Sequence, residues 1–349
     1  MKVLKAGVVG LGMGRFHLRK LNEHPNFEIA AICDIDEEKL KVHCEQYNAP
    51  GYTDYDTMIR EAGLDLVVIA SPTHFHHDHA VYAMEHGVDV FLEKPMASTY
   101  AAAQDIARVQ QETGRKLMIY QPHRTFSLTL AMQDVLKSGK MGKIYLMKRR
   151  NSCFFKRNSW QAFLKNGGGT LFNRGAHHID ELLFLSGGNP EKISSELIKV
   201  LAMGDADDFF KVMIRTDNKI LLDAEMNMST PINCVPWEVY GDRGCAIVTT
   251  DSQGREVIRT RYFVDDEIPE HKYQAVGPLS EETVEYPWEI KDYVVADYTP
   301  LEIYDKCYAY YALDEEPFVP VADTLKVMYT LETAAKAAGP ITDVEKECK

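Results

Sequence analysis

The sequence Val88-Asp-Val-Phe-Leu-Glu-Lys-Pro95 has the pattern of a buried β-strand that ends on a carboxylate, an amine and a proline. Proline fixes φ and has no N–H, so the strand stops at Pro95 and Lys94 leaves it in a defined direction. A lysine at the carboxyl end of a strand in an α/β sheet points into the crevice where such sheets bind ligands. In a dry site the pKa of the amine falls, which lets it carry protons. The alternative is a solvated lysine paired with Glu93.

Length and composition indicate a soluble protein of two domains. The chain has 349 residues, more than one ordinary hydrophobic core accommodates. Its net charge of −13 and pI near 5.4 argue against nucleic acid or an anionic membrane as the main partner. Seven scattered cysteines indicate a reducing compartment rather than a disulfide framework. No apolar run approaches the ~20 residues of a membrane span, and no cleavage signal follows the N-terminus, so we expect a cytoplasmic protein.

A short apolar run at residues 6–10 leads into a glycine-rich turn and then a helical pattern. Strand, glycine turn and helix in this order are the context of a dinucleotide-binding fingerprint, in which backbone N–H groups and the helix N-terminus bind the pyrophosphate. The spacing is irregular, because Arg15 occupies the usual position of the third glycine, and a plain glycine turn remains the alternative. The residues expected at this part of a cofactor site are Gly10, Gly12, Met13, Gly14 and Arg15.

The next predicted strand, Phe27–Cys33, ends on Asp34. An acidic residue there, about 20 residues beyond the glycines, accepts hydrogen bonds from the adenosine ribose. It would repel a 2′-phosphate, so Asp34 favours NAD over NADP. Asp34 or Asp36 could instead cap the helix predicted over residues 37–46. Both can hold, with Asp36 capping the helix and Asp34 binding the cofactor.

A further buried strand, predicted over residues 64–70, is followed by Ser71-Pro72-Thr73 and by His-Phe-His-His-Asp-His at residues 74–79. The pattern H-x-H-x-D-H matches two-metal hydrolases, since neutral histidines and a carboxylate at this spacing could bind zinc. However, a helical pattern continues this segment, and the rest of the chain offers few spaced ligands. We therefore expect no metal, and a helix N-terminus under the cofactor. The residues expected there are Ser71, Pro72, Thr73 and His76.

Predicted strands and helices alternate along the first third of the chain. A helix over residues 98–113 and a strand over residues 116–120 follow the stretch at 88–95. The order β-α-β-α-β predicts a doubly wound parallel sheet with right-handed crossovers. We therefore expect an N-terminal Rossmann domain of the α/β class over residues 1–122.

From residue 123 the pattern changes to that of an α+β domain, expected over residues 123–349. Short strands separated by turn residues run through residues 191–262, which predicts a large antiparallel sheet. Residues 287–299 look irregular. Two helices, over residues 301–313 and 323–338, close the chain, and we expect the last to pack back on the first domain.

Together these motifs resemble the Gfo/Idh/MocA family of NAD(P)-dependent sugar and polyol oxidoreductases. The resemblance spans nearly the whole chain and depends on the order and spacing of several motifs: Gly10-x-Gly12 with His17, Ser71-Pro72-Thr73 with His76, Glu93-Lys94-Pro95, Arg124, Gly139-x-x-Gly142, and Gly-Gly-Gly-Thr-Leu-Phe-Asn-Arg-Gly-Ala-His-His-Ile-Asp at residues 167–180. It implies a Rossmann domain, a second domain whose sheet forms the interface of a homodimer or homotetramer, and an active site between the two domains.

The resemblance also implies roles for individual residues. Glu93 and Lys94 lie at the nicotinamide, and Lys94 helps to move the proton. Dehydrogenase members carry a D-x-x-x-H pair, whose positions here are Asn173 and His177. On one helix these residues would share a face and touch. An amide cannot hold imidazolium as a carboxylate does, so either Lys94 carries the proton or the substrate differs from that of the Asp-containing members.

The expected substrate residues are Arg124, Trp160, Asn173 and His177. In the segment at residues 154–160, Trp160 could stack on a sugar face and Lys156 or Arg157 could meet an anionic group. The alternative is a strand edge blunted by cations and a solvated loop. The sequence thus predicts hydride transfer between NAD and a secondary alcohol of a sugar or inositol-like cyclitol. A non-catalytic NAD or sugar sensor and a metallohydrolase remain the alternatives.

Overall fold

The computed structural model describes residues 2–263 and 286–344 of the chain. Strands and helices alternate through its N-terminal part. The strands are β1 Leu4–Val9, β2 Phe27–Cys33, β3 Gly51–Tyr52, β4 Leu66–Ile69, β5 Asp89–Leu92 and β6 Leu117–Ile119. The helices are α1 Gly14–Glu23, α2 Glu37–Tyr47, α3 Tyr55–Glu61, α4 His76–Glu85 and α5 Tyr100–Thr113.

These six strands form one parallel sheet in the order β3-β2-β1-β4-β5-β6, which confirms the predicted doubly wound fold. The central strand β4 is buried along its whole length, as expected where helices cover both faces of a sheet. The chain order reverses between β1 and β4. Loops at the carboxyl ends of β1, β4 and β5 therefore meet at the crevice where doubly wound sheets bind ligands.

A second sheet follows, with nine strands among the described residues. Its strands are β7 Ile144–Ser152, β8 Pro190–Lys199, β9 Phe209–Thr216, β10 Leu221–Asn227, β11 Trp237–Gly241, β12 Gly244–Thr250, β13 Glu256–Tyr262, β14 Glu289–Val294 and β15 Thr342–Asp343. Helix α6 Ser127–Lys137 precedes β7, and helix α7 Ala176–Ser186 lies between β7 and β8. The strand order is β14-β13-β12-β11-β7-β10-β9-β8-β15. Only the β7–β10 and β8–β15 pairs are parallel in this part of the chain, which confirms the predicted mostly antiparallel sheet.

The prediction that residues 287–299 are irregular is wrong, because β14 pairs antiparallel with β13 along its length. Asp292 of β14 forms two hydrogen bonds with Arg259 of β13, at 2.8 and 2.7 Å. The strand lies at the sheet edge and buries no residue completely. Its charged sequence therefore lacks the apolar run that predicts a buried strand.

The two C-terminal helices, α8 Ile303–Leu313 and α9 Val321–Ala338, pack on different surfaces. Tyr304 of α8 lies in one hydrophobic cluster with core residues of β1 and β5. Helix α9 contacts both parts of the molecule: Tyr100 at the start of α5 donates its N–H to Glu332, and Ser195 of β8 donates its hydroxyl to the Ala334 carbonyl. The six described cysteines are free thiols. Among the described helices, none has both the length and the apolar character needed to cross a membrane.

Candidate active site

Lys94 is the second residue after β5, at the carboxyl edge of the parallel sheet. Its Nζ donates to the backbone oxygen and to the Oδ1 of Asn173, both at 3.0 Å. Burial lowers the pKa of Lys94 to about 8; Glu93 opposes this shift, and the positive charges of Arg174 and Arg157 add to it. An amine with this pKa can accept or donate a proton near neutral pH.

Glu93 is buried beside Lys94 and held by a chain of hydrogen bonds. Its Oε2 accepts from the Lys94 N–H at 3.0 Å, and its Oε1 lies 3.0 Å from Nε2 of His17. Nδ1 of His17 in turn lies 2.5 Å from the Tyr304 hydroxyl on α8. Burial alone would raise the pKa of Glu93, but the contacts with His17 and Lys94 outweigh it and lower this pKa. The carboxylate therefore stays ionised and fixes the backbone from which Lys94 extends.

His177 lies in the first turn of α7 and is buried. Its Nδ1 is 3.2 Å from the side-chain oxygen of Gln121, which follows β6. Because an amide oxygen only accepts, Nδ1 carries the proton and Nε2 is an acceptor. The ring stacks on His123 with centroids 4.0 Å apart and planes 6° from parallel. Burial, followed by the charge of Lys94, lowers the pKa of His177 well below its usual value, so the imidazole is neutral.

Asn173 and His177, which the sequence predicts to share a helix face, form no hydrogen bond with each other in the structure. Residues Leu171–Gly175 form a π-helical turn and α7 begins at Ala176, so Asn173 is not on the regular helix. The side chains of Asn173 and His177 instead bond to different partners, Asn173 to Lys94 and His177 to Gln121. Among the described residues, the side-chain partners of Asn173 are Lys94 and Gln161, whose Oε1 accepts from Nδ2 at 3.1 Å.

The glycine turn after β1 allows close approach of the backbone. Gly10 has a φ of +87°, and a Cβ there would lie 2.6 Å from the Ala70 oxygen. A Cβ on Gly12 would meet no atom within 4 Å, which leaves open space above the turn. A Cβ on Gly14 would lie 3.0 Å from Val8, so this displaced third glycine still lets α1 pack closely on β1.

Asp34, at the tip of β2, binds the glycine turn. Its Oδ2 accepts from the Leu11 N–H at 2.6 Å and its Oδ1 from the Asp36 N–H at 2.9 Å. Asp36 caps α2 by accepting from the Lys39 N–H at 3.1 Å. A cavity of about 300 Å³ lies beside the turn, lined by Leu11, Gly12, Arg15, Lys39, Val42 and His43.

The turn, its open space and this cavity together fit a dinucleotide, with the pyrophosphate at Gly12 and the N-terminus of α1. Met13 immediately precedes α1, has no side-chain capping bond and is exposed. Arg15 donates its Nε to the Gly12 oxygen at 3.2 Å. The first-turn N–H groups of α1 thus have no competing capping side chain, as an anion site at a helix N-terminus requires.

The turn after β4 begins with Ser71 and Pro72 and enters a single 3-10 turn at Thr73. Its position is held by His76, which is buried at the start of α4. The two ring nitrogens of His76 lie 2.9 Å from the Ser71 and Pro95 backbone oxygens. Burial lowers the pKa of His76. His76 therefore joins the loops that follow β4 and β5, both of which border the cofactor crevice.

The histidines of residues 74–79 do not converge on one point. His77 lies 2.8 Å from Asp78 and 2.9 Å from Asp105, whereas His79 contacts the Ser71 hydroxyl and stacks on Tyr55. Within residues 2–263 and 286–344, no three or more His, Cys, Asp or Glu side chains are arranged to hold a metal ion. This geometry offers no support for the metallohydrolase alternative.

Arg124 is fully buried in a cluster of ion pairs. Its Nε and Nη2 bond to Asp180 at 2.8 and 2.7 Å, and its Nη1 bonds to Asp323 at 3.1 Å. The guanidinium also lies over the Phe184 ring, 4.5 Å from its centroid. Because two carboxylates occupy its donors, Arg124 fixes α7 and α9 to the turn after β6. This geometry replaces the expected substrate contact with a structural role.

Several neighbours of the site were not among the predicted residues. Gln121 and His123 follow β6, so the rule that sites gather at the carboxyl ends of parallel strands could have identified them. Glu181 accepts from Arg149 at 2.9 Å and lies 3.3 Å from His123. Gln161 had no signal in the sequence, since it reaches Asn173 only through folding of the loop. Its neighbour Trp160, which the sequence analysis expects at the substrate, is 46% exposed.

Comparison with family models accounts for both sheets. A model described as an oxidoreductase family with an NAD-binding Rossmann fold matches residues 4–121, and a GFO/IDH/MocA C-terminal domain model matches residues 129–247. Together the two models cover well over half of the chain. They confirm that the parallel sheet is an NAD-binding domain.

Individual relatives are more distant. A 2,7-anhydro-N-acetylneuraminate hydratase from Mediterraneibacter gnavus is 29% identical over 63% of this chain and 60% of the relative. An inositol 2-dehydrogenase from Salmonella typhimurium is 31% identical over 42% of this chain and 46% of the relative. The chain thus spans about half to three fifths of these two proteins. An NAD-binding protein from Listeria innocua has the same fold, with a TM-score of 0.80, 24% identity, and coverage of 97% of this chain and 95% of that one.

Proposed function

Because the chain belongs to the Gfo/Idh/MocA family of oxidoreductases, we propose that it transfers hydride between NAD and a secondary alcohol of a sugar or cyclitol. The observation that carries this proposal is Lys94. Its amine extends from the edge of an NAD-binding sheet, has a pKa lowered to about 8, and bonds to Asn173 of the following domain. A proton-accepting group at this place is what alcohol oxidation needs.

In this reaction a secondary alcohol becomes a ketone by losing a hydride from carbon and a proton from oxygen. NAD, when bound, accepts the hydride. Lys94 in its free-base form has two N–H groups, and Asn173 offers two oxygens, each 3.0 Å from Nζ. The lone pair is then directed away from Asn173, where it can accept the hydroxyl proton. In the reverse direction the ammonium returns this proton to the ketone oxygen.

His177 supports Lys94 as a neutral hydrogen-bonding group. Gln121 holds its Nδ1–H, and the stacked ring of His123 fixes its plane. Nε2 can therefore accept a hydrogen bond from a substrate hydroxyl without competing for the proton, because its pKa lies far below that of Lys94. We assign His177 to orienting the substrate and Lys94 to moving the proton.

A panel of inositols, aldoses and sugar acids, followed by NADH absorbance, tests this proposal. The names of the two relatives, an inositol dehydrogenase and a hydratase of an acidic sugar, guide its composition. We expect at least one member to reduce NAD with the wild type and not with Lys94→Ala. Reduction of NAD that is equally fast in this variant would contradict the assignment of Lys94.

The sensor alternative is favoured by one feature: the position of the family aspartate is occupied by the neutral Asn173. Calorimetry with NAD distinguishes it from an enzyme. Tight NAD binding together with no NAD reduction by any sugar of the panel would support a sensor. Any turnover that depends on Lys94 excludes it.

We also propose that the chain forms a homo-oligomer through the face of the nine-stranded sheet opposite α7 and α9. Lys211 on this face bonds to Asp223 and Glu225 at 3.1 and 3.0 Å, and Met213 nearby is exposed. A broad sheet face that exposes apolar side chains such as Met213 is suited to pack against a second copy of the chain. Sedimentation velocity should give a dimer or tetramer that Met213→Glu dissociates, and a monomeric wild type would contradict this.

A further inference from the structure

The corner around Lys94 carries more positive charge than its neighbours balance. Arg157 and Arg174 add, after burial, to the lowered pKa of Lys94, and Arg174 likewise contributes to lowering the pKa of Arg157. The whole chain has a net charge of −13, so this concentration of cations is a local feature. Cations of like sign held together in a partly dry site cost free energy unless an anion joins them.

Arg157 is the clearest case, because it is 7% exposed and has only neutral partners among the described residues. Its Nη1 donates to the Gln161 oxygen and its Nη2 lies 3.6 Å from the Met228 sulfur. Its Nε has no partner in the described part of the chain. Buried guanidinium groups ordinarily bind a carboxylate, since burial without one is costly.

The two carboxylates whose charges act on Arg157 bind other groups. Asp207 and Asp208 attract Arg157 from a distance, since their charges oppose the lowering of its pKa by burial. Asp207 accepts from the Leu171 N–H at 2.8 Å, and Asp208 accepts from three successive N–H groups that begin at Val200. Both side chains therefore hold backbone and leave the guanidinium of Arg157 without an ion pair.

Arg174 extends the same cationic surface towards solvent. It follows Asn173 in the π-helical turn, is exposed, and forms no ion pair with residues 2–263 or 286–344. Other basic residues near the site differ: Arg149 pairs with Glu181, and Lys148 and Arg150 pair with Glu238. Of these five arginine and lysine residues, Arg157 and Arg174 are the two without an ion pair in the described part of the chain.

We propose that the substrate is a sugar or polyol bearing an anionic oxygen group, a carboxylate or a phosphate, and that Arg157 and Arg174 bind this group beside Lys94. This inference rests on the proposed hydride transfer and narrows its substrate class. Guanidinium groups offer planar pairs of N–H donors that match both kinds of anion. Gln161 links the two functions, because its oxygen accepts from Asn173 and from Arg157.

Matched substrates test the inference with the NAD-bound wild type. Glucose, glucuronate and glucose 6-phosphate, and the corresponding galactose series, differ only in the presence and kind of the anion. We expect kcat/KM for the better anionic sugar to exceed that for its neutral parent by about 10- to 100-fold, as for charge-assisted hydrogen bonds. The carboxylate and phosphate arms identify which anion the site prefers.

Arginine variants make the test specific. Arg174→Gln is exposed and should fold normally, and we expect it to reduce the preference for the anion about tenfold. Arg108→Gln, which removes an exposed charge on α5, is the matched control and should keep the preference. Because Arg157 is buried, Arg157→Lys and Arg157→Gln are compared with each other only after thermal unfolding shows that both are folded to the same extent. The lysine variant should then retain more of the preference for the anionic sugar.

Equal turnover of neutral and anionic sugars, or a preference that survives Arg174→Gln, overturns the inference. If no sugar reduces NAD although NAD binds, the proposed hydride transfer fails instead. Calorimetry of glucuronate and glucose 6-phosphate with the NAD-bound protein then decides the anion site separately. If glucuronate or glucose 6-phosphate binds to the wild type and binds more weakly to Arg174→Gln, the anion site is supported. If neither compound binds, the anion site is refuted.

Discussion

Two cations that contact the segment at residues 173–180, the half-buried Lys94 and the buried Arg124, have opposite surroundings. Arg124 faces two carboxylates, Asp180 and Asp323, and every charge in this cluster has a partner. Lys94 instead donates to two neutral oxygens of Asn173, each 3.0 Å from its Nζ. The first arrangement keeps its cation permanently charged, whereas at Lys94 burial lowers the pKa to about 8 against the opposing charge of Glu93.

The difference shows how one local chemistry supports either structure or reactivity. Ion pairing of Arg124 offsets its burial and raises its pKa, so that group cannot exchange a proton. Lys94 forms no ion pair in the described part of the chain, and burial lowers its pKa into the range where it can exchange a proton. The amide at residue 173 therefore accords with the proposal that Lys94 moves the proton.

The largest expected effect comes from removing the amine. Lys94→Ala should lower kcat by about 10²- to 10⁴-fold, the usual contribution of a general acid–base group, while NAD binding changes only a few-fold. Steady-state kinetics with the best panel substrate and calorimetry with NAD measure the two quantities. Lys137→Ala at the end of α6 is the matched control, and a Lys94→Ala enzyme as active as this control would refute the assignment.

Removing the fully paired cation should affect stability instead. Arg124→Ala leaves Asp180 buried without its partner, and we expect the free energy of unfolding to fall by about 3–5 kcal/mol. Urea unfolding measures this change. Arg108→Ala is the control, because Arg108 also bonds to two carboxylates, Asp105 and Glu112, but on the exposed surface. Equal losses in both variants would mean that burial does not distinguish the two clusters.

Converting one environment towards the other gives the sharpest comparison. Asn173→Asp places a carboxylate beside the Lys94 amine and should raise its pKa by about 1–3 units. In the wild type, kcat/KM for alcohol oxidation should rise tenfold per pH unit up to about pH 8 and then level off, because oxidation needs the free amine. In the variant the plateau should begin at higher pH, and oxidation at neutral pH should slow by about tenfold or more.

Asn173→Ala is the neutral control for this shift. It removes the Oδ1 acceptor but adds no charge, so its profile should move less than that of Asn173→Asp. An unchanged profile in Asn173→Asp would show that Lys94 is not the group that titrates. A gain of activity at neutral pH would instead favour His177 as the proton carrier.

The sequence predicted the fold well because its signals are local. Apolar runs, a glycine turn and regular alternation define the parallel sheet without knowledge of distant contacts. The elements it missed have weak local signals: β3 has two residues, and α3 depends on the Asp54 cap for its start. The strand β14 lies at the sheet edge and faces solvent, so its residues are charged. Because it lacks an apolar run, its sequence did not predict a strand.

The site was only partly predictable, because its key contacts join distant segments. Spacing could not distinguish a π-helical turn from an α-helix at residues 171–175, and it gave no sign that Asn173 bonds to Lys94. Arg124 matched a motif, but its carboxylate partners at residues 180 and 323 become visible only after folding. The same holds for Gln161 and Tyr304, which bond to Asn173 and to His17, the residues that in turn contact Lys94 and Glu93.

The smallest expected effect concerns the chain behind Glu93. Tyr304→Phe removes the hydroxyl that bonds to His17 and leaves a buried ring nitrogen without its partner, at a cost of about 1–3 kcal/mol in unfolding free energy. Because His17 holds Glu93 and Glu93 holds the Lys94 backbone, we expect kcat to fall a few-fold with NAD affinity retained. Thermal unfolding and steady-state kinetics measure the two effects.

Tyr308→Phe on the same helix separates positioning from stability. Its hydroxyl donates to the Lys2 carbonyl at 2.8 Å, away from Glu93, so this variant also loses one hydrogen bond of α8. If the chain through His17 positions Lys94, only Tyr304→Phe should lower kcat, although both variants lose stability. Equal effects on kcat would mean that α8 supports the site through packing alone, and that Lys94 owes its position to Pro95 and Asn173.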